Sequence, residues 1–215
     1  MASSSKNGQS DAPATVSGHY FQPADDAEFL PLQVELLGKQ RDLVAARGIF
    51  SPRELDKGTA ILLKHVPLPQ APGNFLDLGC GWGPLALTMA LAQPEADVWA
   101  LDVNANALAS TAANAHTLGL PKVRPVTAEQ IPQQIGFDVI WSNPPIRVGK
   151  ATLHKLLLTW LPRLNVDGQA WLVVQKHLGS DSLLKWLQRE LPAGFEASRA
   201  ESDKGFRLLL VERTA

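Results

Sequence analysis

The apolar run Phe137-Asp138-Val139-Ile140-Trp141-Ser142 leads directly into Asn143-Pro144-Pro145-Ile146. Proline cannot continue a central strand, so a strand ends here and presents an amide at its tip. Pro145 biases Pro144 towards an extended backbone, and both prolines lack an N–H, so two free carbonyl acceptors are expected beside the Asn143 side chain. Such a cup suits one kind of chemistry. An NH2 group conjugated to a ring or carbonyl is a poor nucleophile because its lone pair is delocalised. Acceptors that bind its hydrogens draw the nitrogen towards a tetrahedral geometry and localise that pair in the transition state. An ordinary Asn-Pro turn closing a strand also accounts for these four residues. Taken alone they leave both readings open, and a cofactor site earlier in the chain is what separates them.

Such a site is spelled out by Phe75-Leu76-Asp77-Leu78-Gly79-Cys80-Gly81-Trp82-Gly83-Pro84, a buried-strand pattern feeding a glycine-rich turn that opens a helix. Glycine lets a ligand approach the backbone closely, and the helix start offers free N–H groups. A dinucleotide fingerprint needs glycine where Pro84 stands, and a Walker loop needs a Gly-Lys-Ser/Thr that is absent.

The elements that position these residues alternate along the chain. Strands are expected at Asn74–Leu78, Asp97–Asp102, Val123–Thr127, from Phe137, and at Gln169–Gln175. Helices are expected at Pro84–Gln93, Asn106–Leu118, Leu153–Leu161 and Asp181–Glu190, the last capped by Ser180. Two final strands, near Glu196–Ala200 and Phe206–Glu212, lack a helix between them, so one must run antiparallel. The result is an α/β, doubly wound, mostly parallel sheet with ligand sites at the carboxyl ends of its strands. Upstream, Ser51-Pro52-Arg53-Glu54 spells a capping box ahead of a helix from Leu55 to Val66, which Gly58 is expected to start in two pieces. Leu32, Val34 and Leu36 alternate up to Gly38-Lys39-Gln40, and Leu43 to Ala45 follow, which predicts a hairpin. Three parts are expected: a disordered tail over 1–17, a β appendage over 18–50 and the main domain over 51–215. His19-Tyr20-Phe21 is read as core packing or as a lip over the site.

Asn143-Pro144-Pro145-Ile146 resembles the Asn-Pro-Pro-aromatic/aliphatic signature of amino-methylating class I S-adenosylmethionine (SAM) methyltransferases, and Leu76 to Gly83 is similar to their Asp-Leu-Gly-x-Gly-x-Gly motif. With Gly48-Ile49-Phe50-Ser51 and the Asn-Pro-Pro-Ile-Arg-x-Gly-Lys run, the pattern looks like the methyltransferase small-domain family. Its best-known members resemble guanine-N2 methyltransferases of small-subunit ribosomal RNA. The longest of those carry a duplicated N-terminal domain where this sequence shows a short appendage. The resemblance implies a seven-strand Rossmann-like sheet and SAM as cofactor. By it, Gly79 and Gly81 make room for the methionyl part, with Asp77 near its amino group. Cys80 is read as a small residue in a tight loop. Asp102, nineteen residues after Gly83, can accept both ribose hydroxyl hydrogens, as the corresponding acid does in dinucleotide folds. It could otherwise be a solvated strand end or a helix cap. Val103 and Asn104 should flank ribose and adenine, and Ala128 and Glu129 the adenine ring. Asn143 and the Pro144 carbonyl would hold the target nitrogen, while Pro145 and Ile146 shape a base pocket.

The formal net charge is −1, so contact with a polyanion must come from a local patch. Arg147, Lys150, His154, Lys155, Lys176 and His177 should gather near the cofactor edge, with Arg147, Lys150 and Lys176 as phosphate contacts. One cysteine excludes a disulfide framework, and no metal site is expected. No run approaches a membrane span and the first residues lack the apolar core of a signal peptide, so a cytoplasmic protein is expected. The function that follows is N-methylation of a guanine exocyclic amine in ribosomal RNA, with ribosomal RNA or the small subunit as partner. A protein glutamine N-methyltransferase faces the same NH2 problem, although such enzymes usually carry an aromatic residue at Ile146. From a different class, the chain could be a SAM-binding partner protein without turnover, and the intact Asn143 and Asp102 argue against that.

Overall fold

Seven strands form one sheet in the order 5-4-3-6-7-9-8, numbered along the chain, in this computed structural model, which describes residues 28–215. The expected tail over 1–17 and His19-Tyr20-Phe21 lie outside the described residues. The first two strands make a separate antiparallel hairpin, β1 (Phe29–Leu36) and β2 (Lys39–Ala46). Leu37 and Gly38 link them with φ of 50° and 72°, the left-handed pair that a two-residue hairpin turn requires. Leu32, Val34, Leu36, Leu43 and Ala45 are buried in the core shared with the main sheet.

The main sheet contains β3 (Asn74–Leu78), β4 (Asp97–Leu101), β5 (Val123–Val126), β6 (Phe137–Ser142), β7 (Leu164–Gln175), β8 (Phe195–Asp203) and β9 (Phe206–Arg213). Strands β3 to β7 pair in parallel, and β9 runs antiparallel between β7 and β8. The helices are α1 (Lys57–His65), α2 (Pro84–Ala92), α3 (Ala105–Thr117), α4 (Lys150–Trp160) and α5 (Ser180–Glu190). One apolar core lies under the hairpin, α1, α2 and α3, and a second under α4 and α5. This is the class I methyltransferase arrangement, seven mostly parallel strands between two helical layers, plus the hairpin. Chain order reverses at the β3–β6 boundary, which makes the crevice beyond their carboxyl ends the place where a doubly wound sheet binds ligands. No helix among the described residues is long and apolar enough to cross a membrane.

Several boundaries differ from expectation for physical reasons. The helix expected from Leu55 begins at Lys57 in one piece, capped by Asp56, whose Oδ2 accepts from Gly58 N at 2.8 Å and Thr59 N at 3.2 Å. Ser51 sits at φ 48° and donates its hydroxyl to Glu54 O at 3.1 Å, so it cannot adopt the extended conformation of a cap. Gly149 at φ 97° starts α4 three residues early. Gly179 occupies the cap position of α5, while Ser180 Oγ is buried without a partner among the described residues. Strand β7 gains five residues at its start because Leu164 already pairs with Phe137 across an irregularity.

The hairpin is tied down by polar groups that sequence periodicity does not reveal. Asn114, fully buried on α3, accepts from Val44 N at 2.8 Å and donates to Val44 O at 2.8 Å and Trp82 O at 2.9 Å. Ser110 Oγ accepts from Ala46 N at 2.9 Å. The free edge of β2 is thus paired by side chains of α3, which satisfies its backbone and blocks strand addition there.

Candidate active site

The loop after β3 turns tightly because Gly79, Gly81 and Gly83 adopt φ of 84°, 57° and 91°, a region closed to most side chains. Gly83 also has no room: a Cβ there would lie 2.9 Å from Thr111. Thr111 Oγ1 donates to Gly81 O at 3.0 Å and Asp102 Oδ2 accepts from Gly81 N at 3.0 Å, so the loop is clamped on both sides. The second oxygen of Asp102 accepts from Asn104 N at 2.9 Å, and Asn104 caps α3 through Asn106 N at 2.9 Å. Each Asp102 oxygen keeps further lone-pair capacity towards a ligand.

Asp77, at the end of β3, is fully buried; its Oδ2 accepts from Ala86 N at 2.9 Å, and its Oδ1 has no partner among the described residues. Burial, with a smaller contribution from the Asp102 charge, raises its carboxyl from the ordinary 3.8 to about 8 against the lowering effect of the Ala86 N–H. An orphaned carboxylate oxygen of this kind calls for a cationic or donating partner. Burial also pushes the Cys80 thiol far up, with the Asp77 and Asp102 charges adding to it. Its Sγ lies 3.5 Å from Thr111 Oγ1. It is a packed thiol in a tight loop, not a nucleophile.

Strand β6 lies beside β3 and delivers Asn143 to the same crevice, and Ser142 Oγ locks the two strand ends by donating to Leu78 O at 2.6 Å. The Asn143 Nδ2 donates to Asp56 Oδ2 at 2.7 Å and Thr59 Oγ1 at 3.1 Å. A carboxylate can only accept, so the NH2 end of the amide must face Asp56. Asn143 Oδ1 is left without a partner among the described residues. One expected acceptor is partly used. The Pro144 carbonyl accepts from Ile146 N at 2.8 Å around Pro145 at φ −73° and ψ 78°, an inverse γ-turn. One lone pair of that carbonyl remains.

A single cavity of about 590 Å3 joins these groups, a size suited to a cofactor-scale ligand. Asp77, Gly79, Cys80, Gly81, Asp102, Val103, Asn104, Ala128, Asn143, Pro144, Pro145 and Ile146 all line it. Val103 is 97% exposed and Phe50 is 69% exposed. These apolar groups stand in the open at the cavity, where a ligand would cover them. Glu129 departs from expectation: it does not line the cavity, and its carboxylate is fully exposed and lowered by hydrogen bonds to its own backbone N–H and the Thr127 hydroxyl. Lys150 and Lys176 are exposed at the starts of the segments after β6 and β7, outside the cavity wall. The Arg147 side chain lies outside what is described. His154 leaves the cation cluster by stacking on Trp186 at 3.6 Å between ring centroids, and burial and then the Lys150 charge lower its pKa.

Sequence reasoning passed over Asp56 and Thr59, which line the cavity and hold Asn143, and also Phe206 and Gln175 on its wall. The Asp-x-Gly-Thr spelling at Asp56 is itself an N-cap signal, hidden by the more conspicuous capping box five residues upstream.

A family model described as the methyltransferase small domain matches residues 40–210. The chain belongs to that family. Its cofactor is SAM, and the orphaned Asp77 Oδ1 and the glycine cradle fit a ligand with a cationic amino acid end. This methyltransferase is 27% identical to the uncharacterized protein YbxB of Bacillus subtilis, over 92% of this chain and all of that one. It is 35% identical to the ribosomal RNA small subunit methyltransferase C of Pseudomonas syringae, over 72% of this chain and 48% of that protein. Among solved structures, a 16S rRNA N2 G1207 methyltransferase (RsmC) of T. thermophilus in complex with AdoMet and guanosine superposes with a TM-score of 0.72 at 21% identity. That match covers 89% of this chain and 52% of the other. The chain therefore spans about half the length of these two ribosomal RNA methyltransferases.

Proposed function

We propose that this methyltransferase transfers a methyl group to the exocyclic amine (N2) of a guanine in ribosomal RNA. The observation that carries the reading is the Asn143 amide, whose nitrogen is occupied by Asp56 and Thr59 and whose oxygen has no partner among the described residues, in the cavity that the glycine loop enters. A site built from acceptors selects a substrate group that donates N–H. SAM supplies an electrophilic methyl group on sulfur. Asn143 Oδ1 and the remaining lone pair of the Pro144 carbonyl bind the two amine hydrogens and turn the nitrogen lone pair towards that methyl. Pro145 and Ile146 flank the ring. Asp102 receives the ribose hydroxyls, and Asp77 faces the amino group of the methionyl part. A guanine paired in a helix must leave its stack to reach the cavity. Arg147, Lys150 and Lys176 are proposed to meet phosphates.

The relatives named as ribosomal RNA methyltransferases support an RNA acceptor over a glutamine side chain. Tritium transfer from labelled SAM to ribosomal RNA, ribosomal subunits and total protein tests this directly, followed by mass spectrometry of the RNA nucleosides. Label in N2-methylguanosine is expected. Label confined to protein would overturn the RNA acceptor.

A further inference from the structure

We infer that Asp56 is a positioning residue for methyl transfer, which fixes the Asn143 amide with its oxygen towards the acceptor; this rests on the function proposed above. A free asparagine amide has two orientations of similar shape, one offering an acceptor and the other two donors. Only the first can bind an NH2 group. Asp56 removes the choice, because its Oδ2 accepts from Asn143 Nδ2 at 2.7 Å and a carboxylate repels the opposite orientation. Thr59 Oγ1, 3.1 Å away, receives the other hydrogen of the same NH2 group.

Asp56 is itself rigid. The same oxygen caps α1 through Gly58 N and Thr59 N at 2.8 and 3.2 Å, so the helix start and the amide share one anchor. Gly58 makes the approach possible: a Cβ there would lie 3.0 Å from Asp56 Oδ2, 3.1 Å from Phe206 and 3.3 Å from Asn143 Nδ2. Helix α1 thereby acts on the reaction from outside the Asn-Pro-Pro segment, through a hydrogen bond between residues 87 positions apart.

Asp56→Ser separates the two duties of the carboxylate. Serine caps helices about as well as aspartate, but its shorter side chain draws the acceptor back from Asn143. The variant should keep the wild-type melting temperature and SAM affinity, with kcat reduced on the order of ten- to a hundredfold at little change in KM for RNA. Asp56→Asn, which retains a carbonyl acceptor at the same reach, should recover most of the rate. In an Asn143→Ala background, Asp56→Ser should cause no further loss, since it acts only through the missing amide. A second measurement needs no acceptor at all. The Asn143 side-chain NH2 resonances of nitrogen-15-labelled protein, identified by their loss in Asn143→Ala, should be protected from exchange in the wild type and lose that protection in Asp56→Ser. Unchanged NH2 protection, or additive losses in the double variant, would overturn the inference. If the wild type transfers no methyl group to RNA, the proposed function fails, and the NH2 measurement still decides the role of Asp56.

Discussion

Replacing Asp102 with alanine tests the cofactor end of the site and separates two roles that this carboxylate combines. Its oxygens accept from Gly81 N at 3.0 Å and Asn104 N at 2.9 Å, which shapes the glycine loop and the start of α3. Their remaining lone pairs are proposed to receive the ribose hydroxyls. Two charge-assisted hydrogen bonds of about 1.5 to 3 kcal/mol each correspond to a loss of SAM affinity of at least about a hundredfold. Loosening of the loop adds to that figure. Calorimetric titration with SAM and with an analogue lacking both ribose hydroxyls divides the two contributions as a double-mutant cycle does. The wild type should bind the analogue about as weakly as Asp102→Ala binds SAM, apart from the loop contribution, and Asp102→Ala should bind both ligands alike. A variant that is weakened but still prefers SAM as strongly as the wild type would show that Asp102 only organises the loop. Unchanged affinity would remove it from the site altogether.

Asn143→Ala should leave SAM binding largely intact and cut turnover roughly a hundred- to a thousandfold, as deletion of a positioned transition-state group does; parallel titration and label transfer check it, and equal losses would assign Asn143 to cofactor or fold. The Lys150→Ala/Lys176→Ala double variant should bind single-stranded RNA with a salt slope shallower by roughly 0.7 per lost phosphate contact. An unaltered slope would discard those two contacts and keep the activity. For the ligand-free protein, Asp77 titrates near pH 4 when unfolded and at about 8 when folded. Between those values the folded chain holds a proton that the unfolded chain has released. Stability should therefore be greatest below about pH 4 as far as this group is concerned, and fall by up to about 1.4 kcal/mol per pH unit as pH rises to about 8. Denaturant midpoints of the wild type and Asp77→Asn across that range should diverge, with the variant flatter; parallel curves would place the orphaned carboxyl in a more solvated setting than its burial implies.

The sheet was legible because its signals are local and mutually consistent. Buried runs such as Phe75-Leu76-Asp77-Leu78 and Val98-Trp99-Ala100-Leu101 are bounded by glycine turns and helix starts, and the observed β3 matches its expected ends. Where boundaries moved, a backbone conformation decided that side-chain chemistry alone cannot report. Gly149 and Gly179 start helices through positive φ, and Ser51 is disqualified as a cap by the same property. The last two strands show the reverse case. Their antiparallel course followed from the missing helix, but insertion of β9 between β7 and β8 goes with burial on both of its faces, Leu208 in one core and Leu209 in the other, while β8 is mostly exposed at the edge.

Within the site, legibility divides between residues that follow a strand end and residues that reach it from elsewhere. Asp77, Asp102 and Asn143 each close or follow a parallel strand, and topology alone brings such positions to one edge. Asp56 and Thr59 arrive on a helix that precedes the first strand of the parallel sheet, so no periodicity or spacing relates them to Asn143. Their contact appears only when α1 packs against β7 and β9 and Gly58 leaves room for the amide. The Pro144 carbonyl illustrates the remaining gap. Counting donors correctly found an excess of acceptors after two prolines, but the chain closes one of them on itself through Ile146 N. In the proposed reaction, the acceptor pair for a substrate amine is thus one whole amide oxygen, aimed by Asp56, and one remaining carbonyl lone pair, aimed by the γ-turn. The amide's direction is fixed by hydrogen bonds from its nitrogen to Asp56 and Thr59, neither of which is assigned to the cofactor, which is why variants of Asp56 should change rate while leaving cofactor affinity in place.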